Sequence, residues 1–91
     1  MKQKVANYTV VIEKEKRTGT NDTCYTAFVP LLGIATEADS IEQAEIAIKS
    51  LLEFHLESLS EEGEEIPLES SNSLVTKTEV ALPKNAILAY Q

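Results

Sequence analysis

The stretch from Asp39 to Leu59, DSIEQAEIAIKSLLEFHLESL, constrains the fold most, because its apolar residues recur with the period of an α-helix. Ser40 is placed as the N-cap, and Gln43 completes the capping-box spacing. Gly63 can take the left-handed conformation that ends a helix. At about 100° per residue, one side of this helix collects Ile41, Ala44, Ile48, Leu51, Leu52, His55, Leu56 and Leu59. The rest of the chain must supply the surface on which this apolar stripe packs.

Four other segments have the composition of β-strands, rich in β-branched residues and bounded by polar or turn residues. Three precede the helix and one follows it: residues 7–14, 23–29, 34–37 and 74–82. Lys16 to Asp22, KRTGTND, is typical of a hairpin loop, so the first two strands should pair antiparallel. The predicted order is therefore strand, strand, strand, helix, strand.

This order predicts an α+β fold, with a mostly antiparallel sheet and one helix packed on one face. The simplest topology places the last strand beside the first and parallel to it, in the sheet order 3-2-1-4. The other face, which carries Thr9 and Val11, has no cover within the chain. We therefore expect that face to be solvated or covered by another subunit, and we predict a homo-oligomer, either a dimer or a tetramer.

Length and composition fit one domain over residues 1–91. The lone Cys24 excludes an internal disulfide and a multi-cysteine zinc site. No apolar run reaches membrane-spanning length, and the N-terminus lacks the apolar core of a signal peptide, so a cytoplasmic location is expected.

Charge is concentrated in one part of the chain. The net charge is −7, and residues 37–69 carry eleven acidic side chains against one Lys. Such a surface repels phosphate backbones and attracts basic partners. The alternative is a solvated face that only keeps the protein soluble, which is what charge runs usually are.

Three stretches resemble the HicB antitoxin family. They are YTVVIEKE at 8–15, AFVPLLGIATEADSIEQA at 27–44 and AIKSLLEFHLE at 47–57, and the most specific positions are Pro30, Leu32, Gly33, Ile34, Thr36, Asp39 and Ser40. The resemblance implies a partial, degenerate RNase H-like β-β-β-α-β fold, oligomerisation, and neutralisation of a small ribonuclease toxin, HicA.

The chain departs from that family at three places. Leu31 stands where an acidic residue is common, and Glu37-Ala38 stands where Gln-Gly is usual. Full antitoxins commonly continue into a DNA-binding domain, and no such domain is present up to Gln91. The resemblance therefore does not extend to operator binding, and we do not expect a nucleic-acid partner without such a domain.

No residue pattern indicates catalysis, a cofactor or a metal. RNase H chemistry needs acidic residues held together around two metal ions, but the middle of the first strand reads Thr9, Val10, Val11, Ile12. His55 is the only histidine and lies in the apolar stripe, and Cys24 is explained as a buried small side chain. We expect the protein not to be an enzyme.

Two apolar residues of the helix, Ile46 and Phe54, point away from the stripe. Either the helix is buried over a wide arc, or these residues contact another chain. With the acidic segment after the helix, they form the hypothetical partner-binding set: Ile46, Phe54, Glu61, Glu62, Glu64 and Glu65.

Three functions are compatible with the sequence. The first is an antitoxin-like binding protein, and the second is an orphan oligomeric adaptor of the same fold. The third is a nucleic-acid binder that uses Lys14, Lys16 and Arg17, which the net charge and the lack of interleaved aromatic residues oppose.

Overall fold

The computed structural model describes residues 4–70, 72 and 74–89, so both ends of the predicted domain, 1–3 and 90–91, lie outside the described residues. Three strands are followed by one helix: β1 Val11–Lys16, β2 Thr23–Val29, β3 Ile34–Ala38 and α1 Ile41–Glu61. Both strand pairs are antiparallel, and the sheet order is β1-β2-β3. The α+β class with one helix on an antiparallel sheet is confirmed.

The β1–β2 hairpin forms where the Gly, Asn, Asp and Thr residues predicted it. The Arg17 N–H donates to the Asp22 carbonyl at 2.9 Å, and Gly19 takes a φ of +79°. β1 begins at Val11 rather than Asn7, since its partner strand ends at Val29, just before Pro30, which has no N–H to donate.

The helix begins and ends as its capping residues predict. The Ser40 hydroxyl accepts the Gln43 N–H at 3.1 Å. At the other end, Gly63 has a φ of +71°, and its N–H donates to the Ser60 carbonyl at 3.1 Å. The Glu64 N–H reaches back to the Leu59 carbonyl at 2.9 Å, which completes a Schellman motif.

The core lies between the helix and one face of the sheet. Its fully buried residues are Ala27, Val29, Ala44 and Ile48. The two alanines bring the backbones of sheet and helix close together, and half-buried residues close the rim, among them Tyr8, Val10, Ile12, Leu51 and Leu52. The opposite sheet face remains uncovered within the described chain, and there Val11 pairs with Phe28 in partial contact with solvent.

The predicted last strand, Leu74–Leu82, is wrong for this chain: no described residue from 74 to 89 is in a strand. The edge of β1 is instead approached by the segment just after the helix. The Tyr8 hydroxyl donates to the Pro67 carbonyl at 2.7 Å, and the Thr9 amide and hydroxyl both bond the Glu69 carboxylate. The predicted order 3-2-1 is therefore observed without a fourth strand. Alternation shows that a segment is able to pair as a strand, but it does not show that a strand edge is in place to receive it.

The two isoleucines of the helix provide a matched test of this packing. Ile48 is 3% exposed and Ile46 is 68% exposed, on the same helix. Ile48→Asp places an unpaired carboxyl group in the core. Burial of a neutral polar group without a hydrogen bond already costs about 2–7 kcal/mol, and a charged one costs more, which is comparable to the whole stability of a small domain, about 5–15 kcal/mol. We expect Ile48→Asp to abolish a cooperative thermal transition, and Ile46→Asp to melt close to wild type. Equal melting temperatures for the two variants would contradict the assigned helix face.

Candidate partner-binding surface

The outer face of α1 carries an exposed apolar ridge. Ile46, Ser50 and Phe54 follow one another at intervals of four residues, so they lie along one line of the helix surface. Ile46 and Phe54 are each 68% exposed. The hypothesis that the helix is buried over a wide arc is therefore wrong within this chain, and contact with another chain stays a hypothesis.

The ridge leads directly to a group of carboxylates. Glu57 and Glu61 lie three and seven residues after Phe54, on the same face of the helix, and both are exposed. Glu62, Glu64 and Glu65 follow in the cap and the loop, and they are exposed as well. We call Glu61, Glu62, Glu64 and Glu65 the acidic helix end. The structure thus places every predicted partner-binding residue on one side of the helix or just past its end.

The acidic helix end occupies the electrostatically unfavourable end of α1. The unpaired carbonyls of a helix C-terminus carry about half a negative charge, which favours cations and repels carboxylates. The last turn of α1 contains no basic residue. Among the described residues, the ion pairs are those of Arg17, and none involves the acidic helix end. This arrangement makes the surface negative, and no ion pair among the described residues neutralises it.

Local structure holds the acidic helix end in place from both sides. The Schellman motif around Gly63 fixes where the chain leaves the helix. A few residues later, Pro67 and Glu69 are bonded to Tyr8 and Thr9. The carboxylates are therefore presented from an ordered turn, which lowers the entropy that a partner must remove on binding.

A second polar cluster joins the hairpin to the start of the helix. The Arg17 Nε donates to Glu37 Oε1 at 3.0 Å, and its Nη2 donates to the Asp39 carboxylate. Asp39 first and then Glu37 raise the pKa of Arg17 above its already high ordinary value. No sequence pattern indicates this cluster, since Glu37 and Asp39 lie 20 and 22 positions after Arg17 and only the sheet register brings them together.

Cys24 lies beside this cluster and is 1% exposed, which confirms the interpretation as a buried small residue. Burial raises the pKa of its thiol, and a hydrogen bond with Glu37 raises it further. A thiol held protonated in this way is a poor nucleophile. His55 is half-buried in the apolar stripe, and the described residues contain no group of three His, Cys, Asp or Glu side chains that could hold a metal ion.

The raised thiol pKa predicts a loss of stability at high pH. As pH rises past the ordinary Cys value of 9.0, the unfolded chain loses the thiol proton while the folded chain keeps it. The contribution of Cys24 is therefore full below that pH and is lost as pH rises through the folded pKa. We expect urea-unfolding free energies to fall more steeply between pH 8 and about 10.5 for wild type than for Cys24→Ala. Parallel curves would show that the thiol is not held protonated.

Comparison with known proteins identifies a relative of this chain. Over 68 residues, 74% of this chain and 80% of its relative, the protein is 37% identical to the UPF0150 protein ssr1765 of Synechocystis sp.. No family model and no solved structure matches, so no structural relative tests the RNase H-like architecture. In the part of the chain that the structure describes, no helix is long and apolar enough to cross a membrane. By its similarity to this relative, the chain belongs to the UPF0150 family.

Proposed function

We propose that this protein is a non-catalytic antitoxin that binds and neutralises a small basic ribonuclease of the HicA type. The partner would contact the ridge of Ile46 and Phe54 and the acidic helix end. The observation that carries the proposal is the position of four exposed carboxylates at the negative end of a helix, next to two exposed apolar side chains.

The acidic helix end lowers the stability of the free protein. Carboxylates at a helix C-terminus destabilise the helix, typically by about 0.3–1 kcal/mol each when exposed. Features that lower the stability of the free protein are common at sites that serve a function. A ribonuclease must present cations to its RNA substrate, so its active surface would meet opposite charge here.

The two parts of the surface have different roles in binding. Long-range attraction between opposite potentials accelerates encounter but contributes less to the lifetime of a complex. Buried aromatic anchors contribute most to that lifetime. Phe54 is placed to be such an anchor, with the carboxylates as a charged border on one side.

The resemblance to HicB antitoxins supports the same proposal. Its stretches at 8–15, 27–44 and 47–57 cover most of β1, the last three residues of β2, all of β3 and most of α1. A degenerate RNase H-like architecture is part of the proposal, as is a cytoplasmic location. The proposal assigns no catalytic step, metal or cofactor to this chain.

The second candidate function is an orphan oligomeric adaptor of the same fold. The uncovered sheet face favours it, since Val11 and Phe28 there are each 39% exposed. Such an adaptor would self-associate without silencing a ribonuclease.

Co-expression distinguishes the two functions. The proposal expects a small basic protein to be encoded beside this one. That protein should arrest growth alone, and co-expression of this chain should restore growth and yield a co-purifying complex. Absence of both effects, with both proteins folded, would reject the antitoxin proposal and leave the adaptor.

Neutralising the acidic helix end should change stability and binding in opposite directions. We expect replacement of all four glutamates by Gln to raise the melting temperature, because repulsion at the helix C-terminus is relieved. The same change should slow association with the ribonuclease at least about tenfold, with little effect on dissociation.

The control replaces Glu42 and Glu45, near the start of the same helix, by Gln. Glu42 lies in the first turn, where negative charge is favourable, so this variant should melt lower and bind nearly as wild type. A quadruple variant that binds at the wild-type rate would contradict the assigned surface.

Phe54→Ala should accelerate dissociation of the complex about tenfold or more, as loss of a central aromatic contact does. Phe28→Ala is its control, because Phe28 is an exposed phenylalanine on the far face of the sheet. Surface plasmon resonance with immobilised ribonuclease measures both rates. A dissociation rate that changes for Phe28→Ala and not for Phe54→Ala would place the partner on the sheet instead.

A further inference from the structure

The outer edge of β1 has no strand partner in the described chain. β1 pairs with β2 on one side only, and the sheet order makes it an edge. The bonds from Pro67 and Glu69 reach Tyr8 and Thr9, which precede the strand. From Val11 to Lys16 the strand therefore presents backbone N–H and C=O groups that can receive another strand.

Residues 74–82 form the complementary element. They read LVTKTEVAL, and alternation puts Leu74, Val80 and Leu82 on one side and Lys77 and Glu79 on the other. Leu74 is 86% exposed, and the other two are also exposed. Residues 74–82 thus have the pattern of a half-buried strand, but within the described chain they pair with no other strand and their apolar side chains stay exposed.

The dimensions show that the chain extends well beyond a compact domain. The radius of gyration is 17.4 Å, whereas a compact chain of this length has about 12 Å. The longest axis is 59 Å against 21 Å for the shortest. Val75 lines the same open cleft as Pro30 and Leu31, just past the end of β2, and the described sheet contains no strand from residues 74–82.

We propose that residues 74–82 of one copy pair as a β-strand with the β1 edge of a second copy, and that the second copy returns the same strand. Both unmet requirements, the open edge and the unpaired strand, are then satisfied in one closed two-fold dimer. The proposal does not rest on the proposed function, because α1's outer face takes no part in it.

Side-chain chemistry fits the exchanged strand. On β1, Ile12 faces the helix side, whereas Glu13 and Glu15 lie on the uncovered face of the sheet. With its Leu and Val side toward Ile12, the exchanged strand places both Lys77 and Glu79 on the face of these two carboxylates, so the favoured register sets Lys77, and not Glu79, beside Glu13 or Glu15. Opposite charges on neighbouring strands are favourable, and the apolar side chains lose their contact with water.

A second copy is a better occupant of the edge than the segment's own chain or an unrelated protein. The segment's own chain leaves the strand unpaired and exposed in the structure. An unrelated protein would need to supply a strand for the edge, and it would still leave residues 74–82 unpaired. A second copy has the same sequence, so it supplies both an open β1 edge and a free segment 74–82.

Disulfide trapping tests the exchange in full-length chains that carry Cys24→Ala. One chain carries Glu13→Cys, and a differently tagged chain carries Val75→Cys, Lys77→Cys or Glu79→Cys in turn, so that neighbouring registers are covered. The two are unfolded together, refolded and oxidised. We expect a mixed cross-linked dimer of about 20 kDa, twice the 10.0 kDa chain. Ser50→Cys, on the outer face of the helix, is the negative control and should not cross-link to Glu13→Cys.

A further set of chains carries Glu13→Cys and one of the three partner cysteines together. A cross-link that forms within these chains but never between the two separately tagged chains would overturn the proposal, and so would no cross-link at any of the three positions. Light scattering supplies an independent measurement. We expect Thr78→Pro to convert a dimer into a monomer, since proline removes a ladder hydrogen bond. Ala89→Pro, beyond the exchanged strand, should remain dimeric. A monomeric wild type, or a Thr78→Pro variant that stays dimeric with its helical signal intact, would also overturn the proposal.

Discussion

The structure depends on the contact between one face of the sheet and the apolar stripe of α1. Ala27 and Val29 from β2 meet Ala44 and Ile48 from the helix, and these are the residues that are fully buried between the two layers. Because the core is so small, the free energy gained by burying it exceeds the entropy cost of folding the chain by little. Helix caps and surface hydrogen bonds therefore contribute a larger share of the stability. Ser40 begins the helix, Gly63 ends it, and Arg17 joins the hairpin to the start of the helix.

Local chemistry made much of this predictable. Thr23–Val29 was predicted with its observed bounds, because Pro30 ends the ladder on one side and a hairpin loop precedes the strand on the other. The helix was predicted to within two residues at its end, because capping depends on neighbours in sequence. The burial of Cys24 followed from where the strand was placed, whereas the sequence left open whether Ile46 and Phe54 are buried, and the structure exposes both.

What could not be predicted depends on partners distant in sequence. Residues 74–82 have the alternation of a strand, but alternation does not bring a segment to a strand edge, and in this chain Pro67 and Glu69 are the residues bonded to Tyr8 and Thr9, just ahead of β1. The bonds of Arg17 to Glu37 and Asp39 need the register of three strands. The partner-binding surface was predicted as a set of exposed residues, but its position at the uncompensated negative end of the helix became clear only with the cap geometry.

The central claim is that uncompensated negative charge at the end of α1 recruits a basic ribonuclease. The dependence of the association rate on ionic strength tests it most directly, by stopped-flow mixing of the wild-type protein with the ribonuclease from low to high salt. Screening over a Debye length of about 10 Å at 0.1 M salt should make the association rate fall steeply while the dissociation rate stays nearly constant. An association rate independent of salt would contradict the account.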